Sequence, residues 1–226
     1  MKIKKKACLV GFVALVITLM AFVGCGDDDS SLGSQVTNGE EAWDVLLEGN
    51  ARFVDGDMIG KDFKERRAEL VDGQNPFAVV ITCSDSRVVP EYIFDQGLGD
   101  IFVIRNAGNV VEPVSLGSIE YGVEHLHAPL LIVLGHTSCG AVTAATQGPA
   151  EGNIGDIIDK ITPAVEEVQS HDYDDLVDAS VDENISLVIS NIQEQSPIVK
   201  HLVDEGDLLI IGAKYHIDSG VVTISD

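Results

Sequence analysis

Basic residues are scarce in this sequence. The 226-residue chain has 14 lysines and arginines against 37 aspartates and glutamates, a formal charge of −23. A nucleic acid would meet repulsion where it needs a Lys/Arg footprint, so it is excluded as a partner. Cysteine is scarce too: Cys8 and Cys25 lie in an apolar N-terminal segment, leaving only Cys83 and Cys139 for the rest of the chain. A disulfide-rich scaffold is thereby excluded. Aromatic residues make up 5% of the chain, so the core must be aliphatic; with 45% apolar residues there is enough of it for one sizeable domain, and disorder is excluded. Neither an internal repeat nor an internal linker divides residues 38–226.

Long charge-free apolar runs are absent except for one. Residues 7–23 follow Lys2, Lys4, Lys5 and Lys6, the layout of a secretory signal. Phe22-Val23-Gly24-Cys25 resembles a bacterial lipobox, with Phe22 in place of the usual Leu. The expectation is a lipoprotein signal over residues 1–24, a lipidated Cys25, and an acidic flexible tether over residues 25–37. An uncleaved anchor or a plain cleaved signal are the alternatives, since 17 residues lie at the lower limit of a membrane span. All three place the domain outside the cytoplasm, in a bacterial cell envelope, periplasmic or surface-facing, and the first touches the membrane only through its lipid. Residues 1–24 hold four of the basic residues and no acidic one, so the remainder carries 10 against 37, or −27. Such acidity is read as a solvated surface.

Residues 38–226 alternate helical and extended patterns. Asn38 is a helix N-cap followed by Glu40 and Glu41, and Ala42, Val45, Leu46 and Leu47 share a face. Residues 77–81, 101–104, 130–134 and 208–211 are short apolar runs of the kind that form strands buried on both faces. Helical stretches at 116–126, 141–146, 154–169 and 181–203 separate them, and residues 221–225 read as an edge strand. The predicted fold is α/β, a mainly parallel central sheet flanked by helices, with an N-terminal helical arm and a C-terminal edge strand.

Ligands of such sheets gather beyond the carboxyl ends of the strands. Cys83-Ser84-Asp85-Ser86-Arg87 follows one strand and His136-Thr137-Ser138-Cys139-Gly140 follows another, 53 residues later. Two thiolates and an imidazole suit zinc and leave a fourth position open, the stoichiometry of a catalytic site. A disulfide between Cys83 and Cys139 is the competing reading for an exported protein, but it gives Asp85, Arg87 and His136 no role. A thiol phosphatase loop needs five residues between cysteine and arginine, and here there are three.

At these residues the sequence resembles the β-class carbonic anhydrases. CSDSR and HTSCG match the family's paired zinc motif, and FDQGLGDIFVIRNAGN, SLGSIEYGVEHL and LLIVLGH extend the likeness from Gly73 to Val142. SPIVKHLVDEGDLLIIGAKYHIDSG resembles the closing segment and AWDVLLEGNARFV the first helix, so the likeness covers about residues 40–222. The resemblance implies reversible hydration of CO2 to bicarbonate and a proton by attack of zinc-bound hydroxide, with one zinc per chain held by Cys83, His136 and Cys139. It implies that Asp85 pairs with Arg87 beside the fourth position, or in a closed arrangement becomes the fourth metal ligand itself. Gln74, Phe102, Tyr121 and Gly140 match substrate-binding positions of the open, plant-like branch, where part of the pocket wall comes from a partner subunit; a homodimer or a higher assembly of dimers is therefore expected. Ala107 stands where that branch commonly has valine, which widens the pocket. Hydrolysis of CS2 or COS on the same fold, and a zinc-binding lipoprotein without turnover, are the alternatives. One of His125, His127, His171, His201 and His216 could shuttle protons, since imidazole titrates near neutral pH, but the sequence does not single one out.

Overall fold

The computed structural model describes residues 36–225. The predicted signal, Cys25 and residues 26–35 of the predicted tether lie outside the described residues.

Five strands form one sheet in the order β2-β1-β3-β4-β5. β1 (Ala78–Cys83), β2 (Ile101–Asn106), β3 (Leu130–His136) and β4 (Leu209–Tyr215) are parallel, and β5 (Val222–Ile224) runs antiparallel to β4. Every residue of β1 and β3 is buried, which explains their uninterrupted apolar sequences. The one hydroxyl inside them, on Thr82, donates to the Leu134 carbonyl at 2.8 Å and so stays paired.

Helices cover both faces. α1 (Gly39–Asp55) begins at Asn38, whose side chain accepts the Glu41 N–H, and ends at Gly56 in a left-handed conformation. Trp43 and Leu46 of α1 pack with Ile93 of α3 (Pro90–Ile93) and with Phe94 against Ala78, Val80, Ile132 and Leu134. The alternate strand residues Val79, Ile81, Leu131 and Val133 face α4 (Pro113–Glu120), α5 (Gly140–Thr146), α6 (Asn153–Gln169) and α7 (Leu176–Gln195). α7 approaches the sheet so closely that a Cβ at Gly135 would lie 2.7 Å from Ile185 Cδ1. The Asn50 amide closes the first face, donating to the carbonyls of Ile93 and Gly220 and accepting the Val222 N–H.

The predicted architecture is observed, with three corrections. The helical stretch 181–203 is two helices, α7 and α8 (Pro197–Glu205), because Pro197 cannot continue α7 and Ser196 caps the new start. β2 is only partly buried, since it is the sheet's edge, whereas its sequence predicts burial on both faces. α2 (Phe63–Glu69), capped by Asp62, and the short α3 were not predicted; α2 buries no residue and so carries no apolar stripe to read. Among the described residues no helix is long and apolar enough to cross a membrane.

Candidate metal centre

Cys83 ends β1 and His136 ends β3, two neighbouring strands. Ser138, at φ 57°, turns the chain so that Cys139, the N-cap of α5, points back toward them. The two sulfurs and an imidazole nitrogen lie within 4.8 Å of one another, and all three residues are buried. A tetrahedral ion with bonds of about 2.0–2.3 Å needs donors roughly 3.5 Å apart, which this triangle can supply.

The donor chemistry fits a cation. His136 Nδ1 lies 2.9 Å from the Thr137 carbonyl, which only accepts, so Nδ1 carries the proton and Nε2 has a free lone pair. Nε2 is buried without any hydrogen-bond partner. Thr137 is itself fixed: its N–H donates to Tyr215 O at 3.0 Å and its hydroxyl oxygen accepts from Ile217 N at 3.0 Å. The Cys139 thiol donates to Cys83, which pulls the Cys83 thiol well below its ordinary range and pushes Cys139 up. The Gly108 N–H also points at Cys83 Sγ, at 3.4 Å. A bound cation would favour the thiolate form of both cysteines. Both cysteines are free, so the disulfide reading is not observed.

Asp85 stands beside the triangle in a two-pronged pair with Arg87. Nε donates to Oδ1 at 2.9 Å, Nη2 to Oδ2 at 2.8 Å, and the Arg87 backbone N–H to Oδ1 at 3.0 Å. Arg87 holds the carboxyl far below the usual carboxylate range, its side-chain hydrogen bonds being the largest cause. Asp85 lies outside the group of close donors, and both of its oxygens are engaged by Arg87, the geometry expected of the open arrangement of the dyad.

The sequence model of the family described as carbonic anhydrase matches residues 78–222. Carbonic anhydrase 2 of Mycobacterium tuberculosis is 39% identical over 196 residues, 84% of this chain and 94% of the relative. The β-carbonic anhydrase CafA of Aspergillus fumigatus superposes with a TM-score of 0.66 at 30% identity, over 72% of this chain and 81% of that one. The chain belongs to the β-class carbonic anhydrase family. It is an enzyme of the reversible hydration of CO2. Two tetrameric β-carbonic anhydrases of Sordaria macrospora share the fold as well, with a TM-score of 0.64 at 26% identity, over 71% of this chain and 86% of the matched one.

Not every predicted residue of this carbonic anhydrase meets the triangle. Gly140 adjoins Cys139. Phe102 pairs in register with Val79, four residues before Cys83 and thus about 13 Å back along β1. Tyr121 is next to Phe102, with ring centroids 6.0 Å apart, and Gln74 lines an open groove with Arg67, Val71 and Leu98. These three sit toward the opposite end of the sheet. The sequence reading missed Arg105, whose guanidinium donates to the carbonyls of Cys83 and Asp85 and so braces the loop after β1. A lone arginine in the apolar run of β2 was the available signal.

Proposed function

We propose that Cys83, His136 and Cys139 hold one zinc ion for CO2 hydration, with Asp85 and Arg87 as the dyad beside its open position. The observation that carries this reading is the buried, unpartnered His136 Nε2 between two free thiols. When bound, zinc supplies the Lewis acidity that makes water a nucleophile near neutral pH, the property for which carbonic anhydrase is the standard example. Asp85, held as a carboxylate by Arg87, accepts a hydrogen bond from that nucleophile and aims its lone pair at carbon. Gly140 presents a backbone N–H beside Cys139 for a substrate oxygen.

The wall made by Gln74, Phe102 and Tyr121 serves a second copy of the chain, as in the open, plant-like branch. Among the described residues β2 leaves one edge unpaired, and the exposed Tyr121 lies beside it. Antiparallel approach of two such edges brings the Phe102 end of one strand to the Asn106 end of the other, and Asn106 pairs with Cys83. This geometry supports a homodimer in which each site is completed by its partner, and the tetrameric fungal relatives are consistent with assemblies of such dimers. Residues 1–24 act as a lipoprotein signal and Cys25 as the anchor of an envelope enzyme, a reading supported by the basic start, the apolar run and the lipobox-like FVGC.

Metal analysis with stopped-flow CO2 hydration tests the central reading. About one zinc per chain, with activity lost on chelation and regained on zinc addition, is expected; turnover without bound metal would overturn it. Hydrolysis of COS in place of CO2 hydration would select the alternative substrate.

A further inference from the structure

Asn184 lies far from both cysteine motifs in sequence and touches none of the groups assigned above. It is 1% exposed, on α7, and its side-chain N–H donates to the Gly108 carbonyl at 3.1 Å. Gly108 in turn donates its N–H to Cys83 Sγ at 3.4 Å. One residue therefore receives a hydrogen bond from α7 on its carbonyl side and gives one to a sulfur on its amide side.

Gly108 needs holding. It has φ 70° and ψ 16°, Asn109 after it also has a positive φ of 45°, and glycine imposes little conformational preference of its own. The space around it allows no side chain, since a Cβ would lie 2.6 Å from Ile161 Cδ1 and 3.1 Å from Ala141 Cβ. Without a bond on its carbonyl, the short turn between β2 and α4 is free to rotate the Gly108 amide away from the sulfur. α7 is a firm support, being pressed onto Gly135 through Ile185.

We infer that Asn184 is a positioning residue that aims the Gly108 N–H at the Cys83 sulfur and so sets how much electron density that sulfur gives to the metal. The inference rests on the zinc reading above. A hydrogen bond to a metal-bound thiolate withdraws charge from it, and outer partners of this kind alter metal affinity or activity by about 10–100-fold when lost. Two thiolates donate more charge than two imidazoles, so this withdrawal favours the acidity that the reaction needs.

The test uses the purified protein with cobalt(II) in place of zinc. In wild type, thiolate-to-cobalt charge-transfer absorption in the near ultraviolet is expected; its absence, with no metal bound, would overturn the zinc reading and is a separate outcome from those below. In Asn184→Leu and Asn184→Ser the band should move to lower energy, the direction of a more strongly donating sulfur, and the rate of zinc release to a chelator should change roughly tenfold. Ile185→Val loosens the same helix against Gly135 without touching Gly108, so it reports a merely structural effect. Band and release rate are compared for whichever Asn184 variant melts cooperatively. Values unchanged from wild type, or changed no more than in Ile185→Val, would overturn the role of Asn184.

Discussion

The carboxyl end of β1 and the amino end of β2 lie in the same sheet and differ in completeness. At the first, Cys83, His136 and Cys139 converge under cover, and Asp85 has both oxygens occupied by Arg87. At the second, Gln74 lines an open groove, Tyr121 is 46% exposed, and β2 has a free edge. One chain therefore brings metal-competent donors together, while the proposed pocket wall calls for a second copy. Hydrogen bonds and burial within a chain can preorganise donors for an ion. Under the proposed dimer, a wall residue at the far end of its own sheet would serve the neighbouring subunit.

The largest effect comes from removing a donor at the complete end. Cys139→Ser should lose stoichiometric zinc and lower CO2 hydration by more than about 100-fold, beyond the range for outer partners. Metal analysis beside stopped-flow kinetics reads both. Arg87→Ala should separate the dyad from the metal: activity falls about 10–100-fold while zinc content stays near wild type. If zinc falls in parallel, Arg87 supports the site's fold and does not direct Asp85.

The incomplete end is tested by mixing. Gln74→Ala or Phe102→Ala should reduce activity about tenfold with full zinc occupancy, as for a lost substrate contact. Co-refolded with Cys139→Ser, either variant should regain part of the activity, because a hybrid dimer joins an intact triangle to an intact wall from the other chain. No regain, in a mixture shown by sizing to form dimers, would place the wall and the triangle in one subunit.

A smaller effect is expected on stability at the face covered by α1. The Asp95 side chain is fully buried, with Arg52 Nε at 2.6 Å and Lys61 on its other oxygen. Burial pushes its carboxyl up, but Lys61 and Arg52 outweigh that and hold it below the ordinary value. A depressed carboxyl stabilises the fold above its unfolded pKa of about 3.9 and loses that contribution as pH falls through the folded value. Asp95→Asn should therefore cost about 2 kcal/mol at pH 7 in denaturant melts, with the gap closing below about pH 4. The smallest effect on catalysis belongs to Cys25→Ser: fractionation should show release from the membrane, with turnover of the purified domain unchanged. Retention of the variant in the membrane would favour an uncleaved anchor.

What the sequence made legible follows from where the information is local. The runs that became β1 and β3 are apolar at every position because both faces are covered, and the cysteine and histidine motifs fall directly on their ends. The apolar run of β2 looks the same in sequence, yet β2 is the sheet's edge and only partly buried, since strand order is set by contacts far apart in sequence. The lone arginine of β2 stood out in the sequence, but neither it nor Asn184 could be tied to the site, for a related reason. Each acts through a backbone carbonyl, at separations of 20 to 22 residues for Arg105 and 76 for Asn184, and a carbonyl leaves no trace in residue identity. Gly108 falls within a segment that matches the family, but a glycine in a sequence does not disclose the conformation it adopts.

The hold on Thr137 has a consequence for the order of events in making the enzyme. The ring of His136 is oriented by the Thr137 carbonyl, and Thr137 is locked by Tyr215 and Ile217, near the end of the chain. Asn50 likewise has no grip on Gly220 or Val222 until they exist. A nascent chain that has made both cysteines and the histidine still lacks the later strand that sets the ring, so the three donors reach their final arrangement only once residues 209–217 have been made and folded. Were the proposed export to carry the chain across unfolded, the site would take its proposed zinc on the far side, and the metal supply of that compartment would set how much active enzyme forms.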